Sequence, residues 1–79
     1  MGYPDGDPRF VVREHTGYAI YEGGRQSASE RTEIMVLDRA YNHKLIWTSW
    51  DNPRVMHLPL HKQRAHAYLV AHTMERQYA

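Results

Sequence analysis

Six histidines and a scatter of carboxylates are the residues of this chain whose types could carry chemistry. Three of the histidines, His61, His66 and His72, fall in the C-terminal stretch HKQRAHAYLVAHTMERQYA. On a helix turning ~100° per residue, His61 and His72 share a side but stand about 16 Å apart, while His66 points well away from both. No two of them can share a zinc ion. His57 and His61 have the i, i+4 spacing of a ligand pair, yet Pro59 between them breaks a common turn and no third or fourth ligand accompanies them. These histidines are expected at surfaces and edges, where they add positive charge as pH falls through about 6.5. A hydrolase or transferase needs a nucleophile beside a base, or a carboxylate pair, held in a pocket. Glu14, Asp38 and Asp51 are isolated by spacing, and Gly23-Gly24 lacks both the strand-to-helix setting and the lysine of a phosphate-binding loop. The expectation is a protein that is not an enzyme and holds neither cofactor nor metal.

What remains are residue types that bind. Tyr68, Leu69, His72 and Arg76 lie on one side of the C-terminal segment, and Trp47 and Trp50 close a strand-like run. Aromatic residues and arginine are the types most enriched where interfaces concentrate their binding energy. A different partner, nucleic acid, would instead be met by Arg13, Arg25, Arg31, Arg39 and Lys44.

The elements that must position these residues follow from the pattern of apolar side chains. RFVVREH, then Thr16-Gly17, then YAIYEGG reads as a hairpin over 10–22, with glycine supplying the turn. GGRQSASER, 23–31, is small, polar and without period, which predicts a flexible loop. TEIMVLDRAY and KLIWTSW, joined at Asn42-His43, read as a second hairpin. DNPR is a turn, VMHLPL an irregular connection, and the residues from about His61 to Gln77 a helix. The expected architecture is α+β: an antiparallel sheet of three to four strands in two hairpins, with one C-terminal helix packed on a face. Residues 1–9 are expected to be a flexible segment and 10–79 a single domain.

Two faces of these elements are in surplus. Ile34 and Val36 must point to one side of their strand and Met35 and Leu37 to the other, and one helix cannot cover both. Leu45 and Trp47 likewise oppose Ile46 and Trp50. On the helix, Ala67, Val70, Ala71, Met74 and Tyr78 form one stripe, and Ala65, Tyr68, Leu69 and His72 a second roughly opposite. Period and size allow either stripe to face the sheet. The other then needs a homo-oligomer or a host protein to cover it.

Composition agrees with a small binding protein. A chain of 79 residues makes one core, and at this size only about 60% of the unfolded surface is buried. There is no cysteine, so neither a disulfide nor a thiolate metal site can staple the fold, and nothing marks an oxidising compartment. No apolar run approaches the ~20 residues that span a bilayer, and MGYPDGDPRF lacks an apolar leader core. A cytoplasmic setting without membrane contact is expected. The net charge of +1 argues against a general nucleic-acid binder. It is nevertheless polarised: residues 1–51 carry six basic and eight acidic groups, residues 52–79 four basic and one acidic.

The order of strands RTEIMVLDRAYNHKLIWTSW followed by the helix KQRAHAYLVAHTM resembles the small three-stranded arm-binding domains of tyrosine recombinases, over about residues 10–76. That resemblance implies a sheet entering a DNA groove, with Arg13, Arg39 and Lys44 as base readers and phosphate contacts. Here Glu14, Glu22, Glu33 and Asp38 share the same strands. The arginine-rich composition, the phrase VLDRAYNHKLIW and the charged, Gln-containing terminal helix are together similar to small accessory proteins encoded by phages of actinobacteria. Such proteins often act by binding and inhibiting or redirecting a host protein, so this resemblance implies host modulation by an interaction protein with no chemistry of its own.

Overall fold

A computed structural model describes the backbone of residues 8–20 and 26–78 and the side chains of residues 8–17 and 31–78. Three strands form one antiparallel sheet in the order β1 (Phe10–Ile20), β2 (Gln26–Asp38), β3 (Lys44–Thr48). A short helix α1 (Pro53–Met56) leads into the long helix α2 (Leu60–Gln77), which packs against the sheet. The α+β reading therefore holds, with three strands.

The first hairpin does not. β1 continues through Thr16 and Gly17, which pair with Thr32 and Arg31 of β2. Thr16 and Thr32 share a hydrogen bond between their hydroxyls at 2.9 Å. Of the segment expected as a loop, 26–31 form the start of β2, and 23–25 lie outside the described residues. The chain folds this way because β1 gains a long partner in β2, and a Thr-Gly pair is compatible with extended backbone as well as with a turn.

The second hairpin does turn at Asn42-His43. Both residues have positive φ, 58° and 59°. Asn tolerates this left-handed conformation better than most residues. β2 stops at Asp38, however, and a 3-10 turn over Arg39–Tyr41 precedes the reversal. Asp38 caps that turn by accepting a hydrogen bond from Ala40 N at 3.0 Å. β3 is also shorter than its apolar run. It ends at Thr48, and Ser49–Asp51 form a second 3-10 turn, with Trp50 on it. Where β3 gives out, the buried Ser49 hydroxyl accepts the hydrogen bond of Ile34 N at 3.1 Å. A donor of the central strand is thereby satisfied without a ladder partner.

The core lies between the sheet and α2. Phe10, Ile34, Val36, Ala67 and Ala71 are buried, with Val12, Ile46, Trp47, Val70 and Met74 packed around them. Alternation along β2 sends Ile34 and Val36 inward, as their spacing requires, and leaves Met35 and Leu37 half-buried on the outer face. The stripe of α2 that faces the sheet is Ala67, Val70, Ala71 and Met74. Its alanines take up little room between helix and sheet. Gln63, one turn before Ala67 on the same stripe, is buried too, and its amide donates to Met56 O at 3.2 Å and Leu58 O at 2.8 Å. That side chain fastens the α1–α2 connection to the core.

Candidate partner-binding face

The second stripe of α2 borders the open edge of the sheet. Among the described residues β1 has a neighbouring strand on one side only. Beside its free edge, between β1 and α2, runs an apolar groove of ≈ 570 Å³ whose walls include Phe10, Val12, Ala65, Tyr68, Leu69 and His72. Tyr68 and Leu69 are 62% and 61% exposed. An apolar strip of this kind, set beside a strand edge with no ladder partner among the described residues, is the usual mark of a contact surface.

The direction of the β1 backbone follows from two hydrogen bonds. Arg39 N donates to Arg9 O at 2.9 Å, so Arg9 faces β2. Successive residues alternate, which turns the peptide groups of Phe10, Val12, Glu14 and Thr16 outward. Phe10 N, at the end of this edge, donates to Glu75 Oε1 at 2.6 Å. Val12 O accepts from the Arg13 guanidinium at 3.0 Å. At the other end Glu14 and Arg64 form a two-pronged ion pair at 2.7 and 3.0 Å. The Arg64 hydrogen bond holds the Glu14 carboxyl below the usual carboxylate range. Glu75 and Arg64 thus pin the two ends of the groove to β1.

Below this face the start of β1 is clamped. Arg9 makes a bidentate pair with Asp38, Nε to Oδ1 at 2.8 Å and Nη2 to Oδ2 at 3.0 Å. Its guanidinium lies 4.9 Å from the Phe10 ring centre, 5.6 Å from Tyr41 and 4.8 Å from Tyr78. Hydrogen bonding from Arg9 lowers the Asp38 pKa below its ordinary value. Residue 9 was expected in a loose segment and is instead held at three points; residues 1–7 lie outside the described residues.

The residues singled out from the sequence are only partly brought together. Tyr68, Leu69 and His72 line the groove, and Arg76, also exposed, follows one turn later. Trp47 was placed on an outer sheet face with Trp50. It pairs with Val36 and packs on the core instead, because a bulge at Leu45–Trp47 breaks the alternation and lets both Ile46 and Trp47 reach the core. Trp50 is 43% exposed and lies apart from the groove, beside Arg31, Thr32, Met56 and Leu60. The basic residues are dispersed. Arg13 and Arg31 belong to the outer face by register, Lys44 pairs with Asp38 near Met74 and Tyr78, and Arg39 donates to Pro8 O at the end of the sheet. Arg25 lies outside the described residues. Those that are described form no single strip along which a phosphate backbone would run.

Ala65 was on the same stripe as Tyr68 and Leu69, but Phe10, Val12 and Glu75, which also line the groove, were not expected there. The period of α2 carries Ala65, but nothing local relates Phe10 to Glu75, which are 65 positions apart. Among the described residues no three His, Asp or Glu side chains gather as metal ligands would, and no helix is long and apolar enough to cross a membrane. Comparison of the chain with protein-family models, with curated proteins and with solved structures finds no match.

Proposed function

We propose that this is a small interaction protein that works by docking a protein partner, with no chemistry of its own. The observation that carries the reading is the apolar groove between α2 and the free edge of β1, flanked by the exposed Tyr68 and Leu69. His72 and Arg76 extend that surface along the helix. The resemblance to small phage accessory proteins extends the proposal to a host protein as partner and host modulation as the role, in the cytoplasm of the host.

The test is Tyr68→Ala with Leu69→Ala. Both side chains stand largely in solvent, so the fold is expected to survive, as judged by circular dichroism. At the centre of an interface each truncation costs about 2 kcal/mol or more, which is roughly a 30-fold loss of affinity. The double variant is expected to lose capture of its partner from host lysate or to change oligomeric state. If neither changes, the helix face is not the docking site.

A further inference from the structure

We infer, building on that reading, that the groove is filled by a second copy of this chain: two β1 edges pair antiparallel across a two-fold axis, and the two α2 helices pack side by side on one face of a six-stranded sheet. The spacing of the elements favours this occupant. α2 lies against both β1 and β2, so its axis falls over the β1–β2 pair, about half a strand spacing, ~2.4 Å, inside β1. A two-fold axis lies the same distance outside an edge strand that pairs with itself. The two helix axes then stand about 9–10 Å apart, the ordinary distance of packed helices.

The two centres of symmetry coincide. Glu75 reaches Phe10 and Arg64 reaches Glu14, so the point on β1 midway between them, Val12, faces the part of α2 around Tyr68 and Leu69. A two-fold axis at Val12 passes close to the exposed Leu69, one residue from Tyr68. The outward N–H and C=O of Val12 then pair with those of its own copy; the Arg13 hydrogen bond to Val12 O yields, while Phe10 N keeps Glu75 as its acceptor at the end of the ladder.

Charge and shape agree with antiparallel helices centred there. The exposed Tyr68 and Leu69 of the two copies meet across the axis, beside the small, exposed Ala65 that allows close approach. The Arg64–Glu14 pair of one copy comes beside Glu75 of the other, so that the basic start of each helix meets the acidic side of the next. The area argument requires both elements. A stable interface takes ~800 Å² from each partner, and the exposed stripe of a helix about 27 Å long and ~10 Å wide falls short of that. The edge of β1 must contribute, and an isologous pair is the arrangement that uses strand and helix together.

Because the chain has no cysteine, a single introduced thiol reports on the two-fold axis. Sedimentation of the full chain is expected to give twice its 9.3 kDa. Tyr68→Cys is expected to form a symmetric disulfide under mild oxidation. His66→Cys, exposed on a side of α2 away from the groove, is expected to stay uncross-linked. Tyr68→Glu, which sets two like charges at the axis of an otherwise intact monomer, is expected to weaken the dimer at least about 30-fold. A chain that sediments as a monomer up to about 100 µM, far above a micromolar dissociation constant, overturns the second copy as occupant. In that case continued loss of partner capture by the double alanine variant leaves the docking reading standing. A dimer that cross-links through His66→Cys as readily as through Tyr68→Cys places the contact elsewhere and overturns the proposal as well.

Discussion

Asp38 has three roles at the start of β1, two of them through its carboxylate. It holds Arg9 with both oxygens, caps the 3-10 turn at Ala40, and sits in register with Phe10 at the start of β1. Removing one partner of such a hydrogen-bonded pair leaves the other charge without compensation, so Asp38→Asn is expected to cost about 2 kcal/mol of stability. The sign with pH follows from the lowered pKa. A carboxyl whose folded pKa is depressed contributes fully above its unfolded value of about 3.9 and loses that contribution as pH falls through the lower folded value. Thermal unfolding of the two proteins should therefore differ most at neutral pH, and the gap should close in acid. A gap that persists unchanged at pH 2 would contradict the assignment to the ionised carboxylate. None of this was legible beforehand, because Arg9 and Asp38 are 29 positions apart and neither stands in a motif. What could be read at this scale was residue type: Tyr68 and Leu69 were recognisable as a surplus, whereas the burial of Trp47 depends on a bulge that apolar alternation does not announce.

At the scale of the element, the pattern of the chain named helix and sheet correctly and misplaced a turn. α2 and the Asn42-His43 reversal were legible because each rests on local chemistry, the helical period in one case and left-handed tolerance in the other. Thr16-Gly17 was read as a turn because glycine permits one. Whether glycine turns depends on what the next segment pairs with, and β2 begins early enough to pair straight through it. Gly17 has no need of special backbone here, and among the described residues a Cβ on it would meet only His15 Nε2, at an ordinary 3.5 Å. Gly17→Val is accordingly expected to raise stability by about 0.5–1 kcal/mol, since glycine weakens a strand interior. A loss of several degrees in Tm would instead mark this site as a turn. His43 shows the opposite need. It holds a φ of 59° without being glycine, so His43→Gly is expected to stabilise by about 1 kcal/mol, measured by denaturant unfolding.

For the whole molecule the deciding feature is how little apolar surface the described elements bury. Two of the five residues in the central cluster are alanines, and a chain of this size has little stability to spare. A second copy across β1 would cover Val12 and the groove and extend the core across the two-fold axis. The sequence showed that one stripe of α2 would be left uncovered but not which one, because both are compatible with the helical period. The inward choice depends on Gln63 and the two buried alanines finding room against the sheet. The basic groups are spread over different parts of the fold, and binding to duplex DNA is expected to be no tighter than the general electrostatic range of about 10⁻⁴–10⁻⁶ M at physiological salt, which a titration over salt concentration checks. The most direct measurement of the central claim is amide hydrogen exchange along β1 at high and low protein concentration. The outward N–H groups of Val12, Glu14 and Thr16 are predicted to be protected when the chain is concentrated and to exchange freely on dilution. Amides that exchange freely at every concentration, and with host lysate present, would contradict the claim that this edge is a docking surface.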